Sequence, residues 1–63
     1  MGKFTTFVHT DGSPCIINKE RVKGLREAPG GHTWIDYDNG KMFEVVREIA
    51  EVRREIYGED DDQ

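Results

Sequence analysis

His9, His32 and Cys15 are the strong transition-metal ligands of this 63-residue chain. A metal site would need at least two of them on one side of the backbone. A two-residue turn at Asp11-Gly12 pairs Val8 with Cys15, so His9 points to the opposite face and no metal is expected. Cys15 precedes Ile16-Ile17 and reads as a small buried hydrophobe rather than a nucleophile. Asp36 and Asp38 flank Tyr37, and alternation puts both carboxylates on one strand face, where one pKa could rise for acid–base work. The simpler reading makes Asp38 a turn-initiating residue and Asp36 a cross-strand partner of a basic side chain. No Ser/His/Asp set carries a local catalytic signature. The expectation is a non-enzymatic protein without a cofactor.

A second constellation could bind an anion. Gly30-Gly31 would offer backbone N–H groups as a nest beside Arg26 and His32. Trp34 or Tyr37 could stack a base, while Arg26, Arg47, Arg53 or Arg54 neutralise phosphates. Such a site would sit at a subunit interface, since interfaces make ready pockets. Set against this are a plain flexible loop at Gly30-Gly31 and a solvated helix face at Arg53-Arg54.

Composition narrows the classes. A chain this short buries only about 60% of its unfolded-chain surface and is marginal without a staple. One cysteine excludes an intramolecular disulfide. Oligomerisation or unusually good packing is left. Of 13 acidic residues, Glu59, Asp60, Asp61 and Asp62 crowd the end, so residues 1–58 balance nine acidic against nine basic groups. A single domain over 1–58 with a disordered acidic tail at 59–63 is expected. A neutral body lacks the basic excess that nucleic acid demands. The start, "MGKFTTFVHT", has no long apolar stretch, so neither export nor a membrane span is expected. It does match the outline of an N-myristoylation signal at Gly2 and Thr6, but Phe4 to Val8 reads as a first strand. The expected compartment is the cytoplasm.

The elements that must position these groups follow from turns and periodicity. "KFTTFVHTDGSPCIIN" is a hairpin about Asp11-Gly12, with Pro14 at an edge or strand start. Asn18 caps a short turn through Lys19 and Glu20, and a short irregular strand follows. "APGGHT" is a loop. "TWIDYDNGKMFEVV" is a second hairpin, its Asn39-Gly40 suiting a two-residue type I′ turn. Residues 46–57 form a helix; Val45, Ile49, Val52 and Ile56 recur at its period as one stripe, with Val46, Ala50 and Tyr57 beside it. Gly58 suits the helix end, and Arg47 can pair with Glu51.

The predicted architecture is α+β: a four-stranded, mostly antiparallel sheet of two hairpins with one C-terminal helix on one face. In the two-residue register the second hairpin places Trp34, Asp36, Phe43 and Val45 on one face and Ile35, Tyr37, Met42 and Glu44 on the other. Both faces are apolar, and a single short helix covers one. A second copy is expected on the remainder, through Phe7, Ile16, Ile35, Tyr37, Met42, Val46, Ala50 and Tyr57.

From Ile17 to Ile56 the order of features resembles the small FlbD-like family of bacterial flagellar and swarming-motility proteins. Asn18, the pair Val22 and Leu25, Glu27, Pro29, the Asn39-Gly40 turn, Phe43 and Val45, and the stripe Ile49, Val52 and Ile56 fall in matching places. "HTDGSP", "PGGHTW" and the acidic end depart from the pattern. The resemblance implies a cytoplasmic, non-enzymatic motility accessory protein. The alternative expectation is a phage-type protein that sequesters a nucleotide-like signalling ligand at a subunit interface or blocks a host defence protein.

Overall fold

The computed structural model describes residues 2–58; the acidic tail at 59–63 lies outside the described residues. Along the chain run β1 (Phe4–Val8), β2 (Pro14–Asn18), a 3-10 turn (Lys19–Arg21), β3 (Val22–Ala28), β4 (His32–Tyr37), β5 (Met42–Val45) and α1 (Ile49–Tyr57). The class is α+β with antiparallel strands and a C-terminal helix, but the single four-stranded sheet is replaced by two sheets. β1 and β2 form one, and β3-β4-β5 form the other. "APGGHT" is therefore the turn of a third hairpin, with Ala28 opposite His32. The irregularity expected before it survives as a register shift between Val22 and Gly24. The sheets meet where His9 bridges Val45 and the Val46 N–H donates to the Val8 carbonyl at 2.8 Å.

The Asp11-Gly12 and Asn39-Gly40 turns differ from expectation in the same way. His9 donates to the Ser13 carbonyl and Gly12 to that of His9; Tyr37 donates to the Lys41 carbonyl and Gly40 to that of Tyr37. Each loop thus holds three residues, not two, and only its glycine takes positive φ: 91° at Gly12 and 89° at Gly40. This is a type I turn closed by a left-handed glycine, so Asn39 need not adopt the left-handed conformation of a type I′ turn. Asp11 and Asn39 lock the two loops alike, each accepting from the N–H two residues on, Ser13 at 2.9 Å and Lys41 at 3.0 Å.

One extra loop residue slips each register by one, which exchanges the faces of one strand. Ile35 now lies opposite Phe43 and Thr33 opposite Val45, while Trp34 faces Glu44 and Asp36 faces Met42. Phe7 lies opposite Cys15, and Thr6 opposite Ile16. The slip gathers Ile35, Tyr37, Phe43 and Val45 on one face of the second hairpin and Phe7, Cys15 and Ile17 on one face of the first. Phe7, Cys15, Ile17, Ile35, Tyr37, Val45, Val52 and Ile56 make the core, with Val22, Leu25 and Phe43 packed against it. Fully burying each large member contributes on the order of 1.5–3 kcal/mol.

The helix starts at Ile49 rather than residue 46. Val46 is still paired with Val8, and the Arg47 carbonyl accepts from Thr33 Oγ1 at 2.7 Å. That bond also satisfies the fully buried Thr33 hydroxyl. Glu48, extended at ψ 149°, precedes α1, and Gly58 ends it at φ 69° with its N–H on the Arg54 carbonyl. Val52 and Ile56 supply the stripe that enters the core.

Candidate interaction surface

On the solvent side of β3-β4-β5, Arg26 spans its neighbours. Its Nε and Nη2 donate to the two Asp36 oxygens at 3.0 Å each, Nη2 also reaches Met42 Sδ at 3.0 Å, and the guanidinium lies 5.2 Å from the Trp34 ring centre. The hydrogen bond from Arg26 holds the Asp36 carboxyl below its ordinary pKa. Beside them His32 Nδ1 lies 3.0 Å from Glu44 Oε2. Hydrogen bonds from His32 and then Trp34 hold the Glu44 carboxyl low as well. Asp36 therefore has the cross-strand basic partner its position predicted, and Asp38 binds Arg21 at 3.3 Å. The two carboxylates serve separate arginines, not one proton.

Within one chain, the parts of the expected anion site do not converge. Arg26 is neutralised by Asp36, and Arg47 by Glu51 at 3.0 Å, with its guanidinium 5.8 Å from the Phe7 ring. Tyr37 is buried: its Oη accepts the Asn18 N–H at 2.7 Å, and its ring meets Phe43 edge-on at 5.0 Å. It is a core strut and has no face to offer a base. Gly30 and Gly31 both take positive φ, 80° and 81°, whereas an anion nest alternates right- and left-handed residues. A cleft of about 510 Å³ does join Gly31 and His32 to Glu27, Ala28, Glu48, Ile49 and Ala50. Its charged walls are carboxylates, which repel phosphate. Arg53 and Arg54 lie apart from this cleft's lining, on α1.

Three residues expected on the self-association face are likewise inside the chain's own core: Phe7, Ile35 and Tyr37. The register slip groups Phe7 with Cys15 and Ile17, and Ile35 and Tyr37 with Phe43 and Val45. Ile16, Met42, Val46 and Tyr57 are exposed and Ala50 half-buried. The same slip turns Phe4 and Val8, which the sequence reading did not place together with Ile16, onto one side of the first hairpin. Phe4 is 60% exposed, Val8 46% and Ile16 66%. Val46, opposite Val8 at the sheet junction, extends the patch. An apolar stripe that stays wet on the outside of a sheet whose inside is already full was the detectable signal, but only in the correct register.

Cys15 is buried, and burial pushes its thiol pKa up. Phe7 opposite Cys15 also puts His9, two residues on, on the Cys15 side of the strand, reversing the expected opposition. His9 packs instead toward Phe43, with ring centres 6.5 Å apart. No group of three His, Cys, Asp or Glu among the described residues could hold a metal, and no helix there is long and apolar enough to cross a membrane. No protein-family model, curated protein or solved structure matches this chain.

Proposed function

We propose that this protein is a non-enzymatic interaction module that associates with itself through the outer face of the β1–β2 hairpin. The observation that carries this reading is the stripe of Phe4, Val8 and Ile16, all well exposed on one side of a two-stranded sheet whose other side is core. A chain of this size gains from covering such a stripe, because its own core alone gives only a few kcal/mol. The spent side chains support the non-enzymatic half: Asp36 is filled by Arg26, Asp38 by Arg21, Glu44 by His32, and the thiol is buried with a raised pKa. The resemblance to the FlbD-like family offers the setting, an accessory role in motility. Nucleotide sequestration draws no support from arginines already paired with carboxylates.

Sedimentation equilibrium across a wide concentration range tests this. The wild type should shift from monomer to a larger species, and Phe4→Ser with Ile16→Thr should remain monomeric while keeping the wild-type circular dichroism spectrum. A wild-type chain that stays monomeric at millimolar concentration would refute the proposal.

A further inference from the structure

The outer face of the β1–β2 hairpin differs in kind from that of the neighbouring sheet. Alternation and register turn Phe4, Thr6 and Val8 of β1 and Pro14, Ile16 and Asn18 of β2 outward. None of these carries a charge. The outer side of β3-β4-β5 instead holds Arg26 paired with Asp36 and His32 paired with Glu44. Within the hairpin, formal charge returns at the two ends, and with opposite sign. At the turn the Asp11 carboxylate accepts from the Ser13 N–H at 2.9 Å and hydroxyl at 2.7 Å. At the open end Lys19, the first residue of the 3-10 turn, donates its N–H to the Lys3 carbonyl at 2.7 Å, which sets two lysines side by side. Glu20, 3.8 Å from Lys3, offsets one of them. Apolar bulk is uneven as well. Across the strands Phe4 has polar Asn18 beside it, whereas Val8 has Pro14 on one side and Val46 on the other.

We propose, resting on the self-association reading above, that two copies stack these faces as a two-layer sandwich, the strands of one antiparallel to those of the other. The two-fold axis lies between the layers, perpendicular to the strands, and crosses the Thr6–Ile16 row. At the usual sheet separation of about 10 Å, Ile16 meets Ile16 of the second copy and each Phe4 ring covers Val8 of the other. The whole stripe is buried. The edge of β2 stays outside the contact, and the Asn18 N–H keeps its bond to Tyr37 Oη. The other symmetric stacking, with the axis along the strands, fails twice. It lays turn on turn, Asp11 against Asp11 and lysines against lysines, and it sets Phe4 over Asn18 rather than over an apolar partner. Antiparallel stacking brings each Asp11 to the other copy's lysine end, so attraction replaces repulsion at both ends of the dimer. A face of five-residue strands is only about 17 Å long, which places the contact in the weak, concentration-dependent class.

Exchanging sizes tests the pairing of Phe4 with Val8. Phe4→Val sets valine against valine and Val8→Phe sets ring against ring, so each should weaken the dimer by about tenfold in sedimentation equilibrium. The double variant Phe4→Val, Val8→Phe restores a ring-on-valine contact at both places and should return to within about threefold of the wild type. Both positions are exposed in the single chain, so the circular dichroism spectrum should not change. A zero-length carbodiimide reads the orientation independently. Asp11 lies about 20 Å along the hairpin from Lys3 and Lys19 of its own chain, so an amide between Asp11 and either lysine joins two copies. That amide should form in the wild type at concentrations where the dimer sediments and be absent from the dilute monomer. A wild type that dimerises without it, or an exchanged variant no tighter than its two parents, would overturn the antiparallel stacking and leave self-association standing. A monomeric wild type would overturn both.

Discussion

At Arg26 the guanidinium is divided among Asp36, Met42 and the Trp34 ring. Arg26→Ala should uncover Trp34 and shift its fluorescence to longer wavelength without any added ligand, read in buffer alone. A wild-type emission already at the fully hydrated position would contradict the stacking. Tyr37 makes a different kind of claim. Its Oη is the acceptor for the Asn18 N–H, so Tyr37→Phe should leave that donor without its partner and cost about 1 kcal/mol. In a domain of this size that lowers Tm by roughly 4–8 °C, measurable by calorimetry. Acid stability belongs to this scale too. Asp11, Asp36 and Glu44 all have folded pKa values below their ordinary ones, chiefly through hydrogen bonds from Ser13, Arg26 and His32 respectively. Carboxylates of that kind add stability above their unfolded pKa values, and the gain is lost as pH falls through the lowered folded ones. Urea midpoints should therefore drop below about pH 5, and Asp36→Asn should flatten part of that slope.

The elements show where a sequence is legible and where it is not. Helix and turn chemistry was readable: the Ile49, Val52 and Ile56 spacing, the Gly58 end, the Asn18 cap over Glu20 and the Arg47–Glu51 pair all appear. Register was not read correctly, because Asp-Gly and Asn-Gly serve both a two-residue type I′ loop and a three-residue loop ending in left-handed glycine. The discriminating fact lay in the flanks. Only the three-residue loop gathers Ile35, Tyr37, Phe43 and Val45 on one side, and a hairpin reading that makes both faces apolar should have been slipped by one. The helix start was misplaced for a nonlocal reason, since nothing near Val46 reveals that Val8 will hold its N–H. The third hairpin was missed because Gly24 and the Gly30-Gly31 pair weaken every local strand signal. The slipped register in turn decided which residues form the candidate surface. A test of the loops is Gly40→Ala: no atom lies within 4 Å of the added Cβ, so the cost is conformational alone. At φ 89° it should lower stability by about 1–2 kcal/mol. An unchanged urea midpoint would mean that the loop is not the three-residue form.

As a whole molecule, the protein has a core supplied by both sheets and the helix, and the proposed self-association would use the outer face of the same β1–β2 hairpin. If two copies meet there, association adds to stability by mass action, and Tm should rise with protein concentration. The Phe4→Ser, Ile16→Thr variant should lose that dependence, and calorimetry at several concentrations reads both. The lone thiol gives the hairpin a clock of its own. Cys15 is buried in the core cluster that it shares with Phe7, Ile17, Ile35, Val45, Val52 and Ile56. A thiol reagent reaches it only when that core opens, so the labelling rate counts those openings one by one. A second copy held on the outer face of this hairpin, as proposed, would then slow a chemical reaction on the inner side of the same two strands.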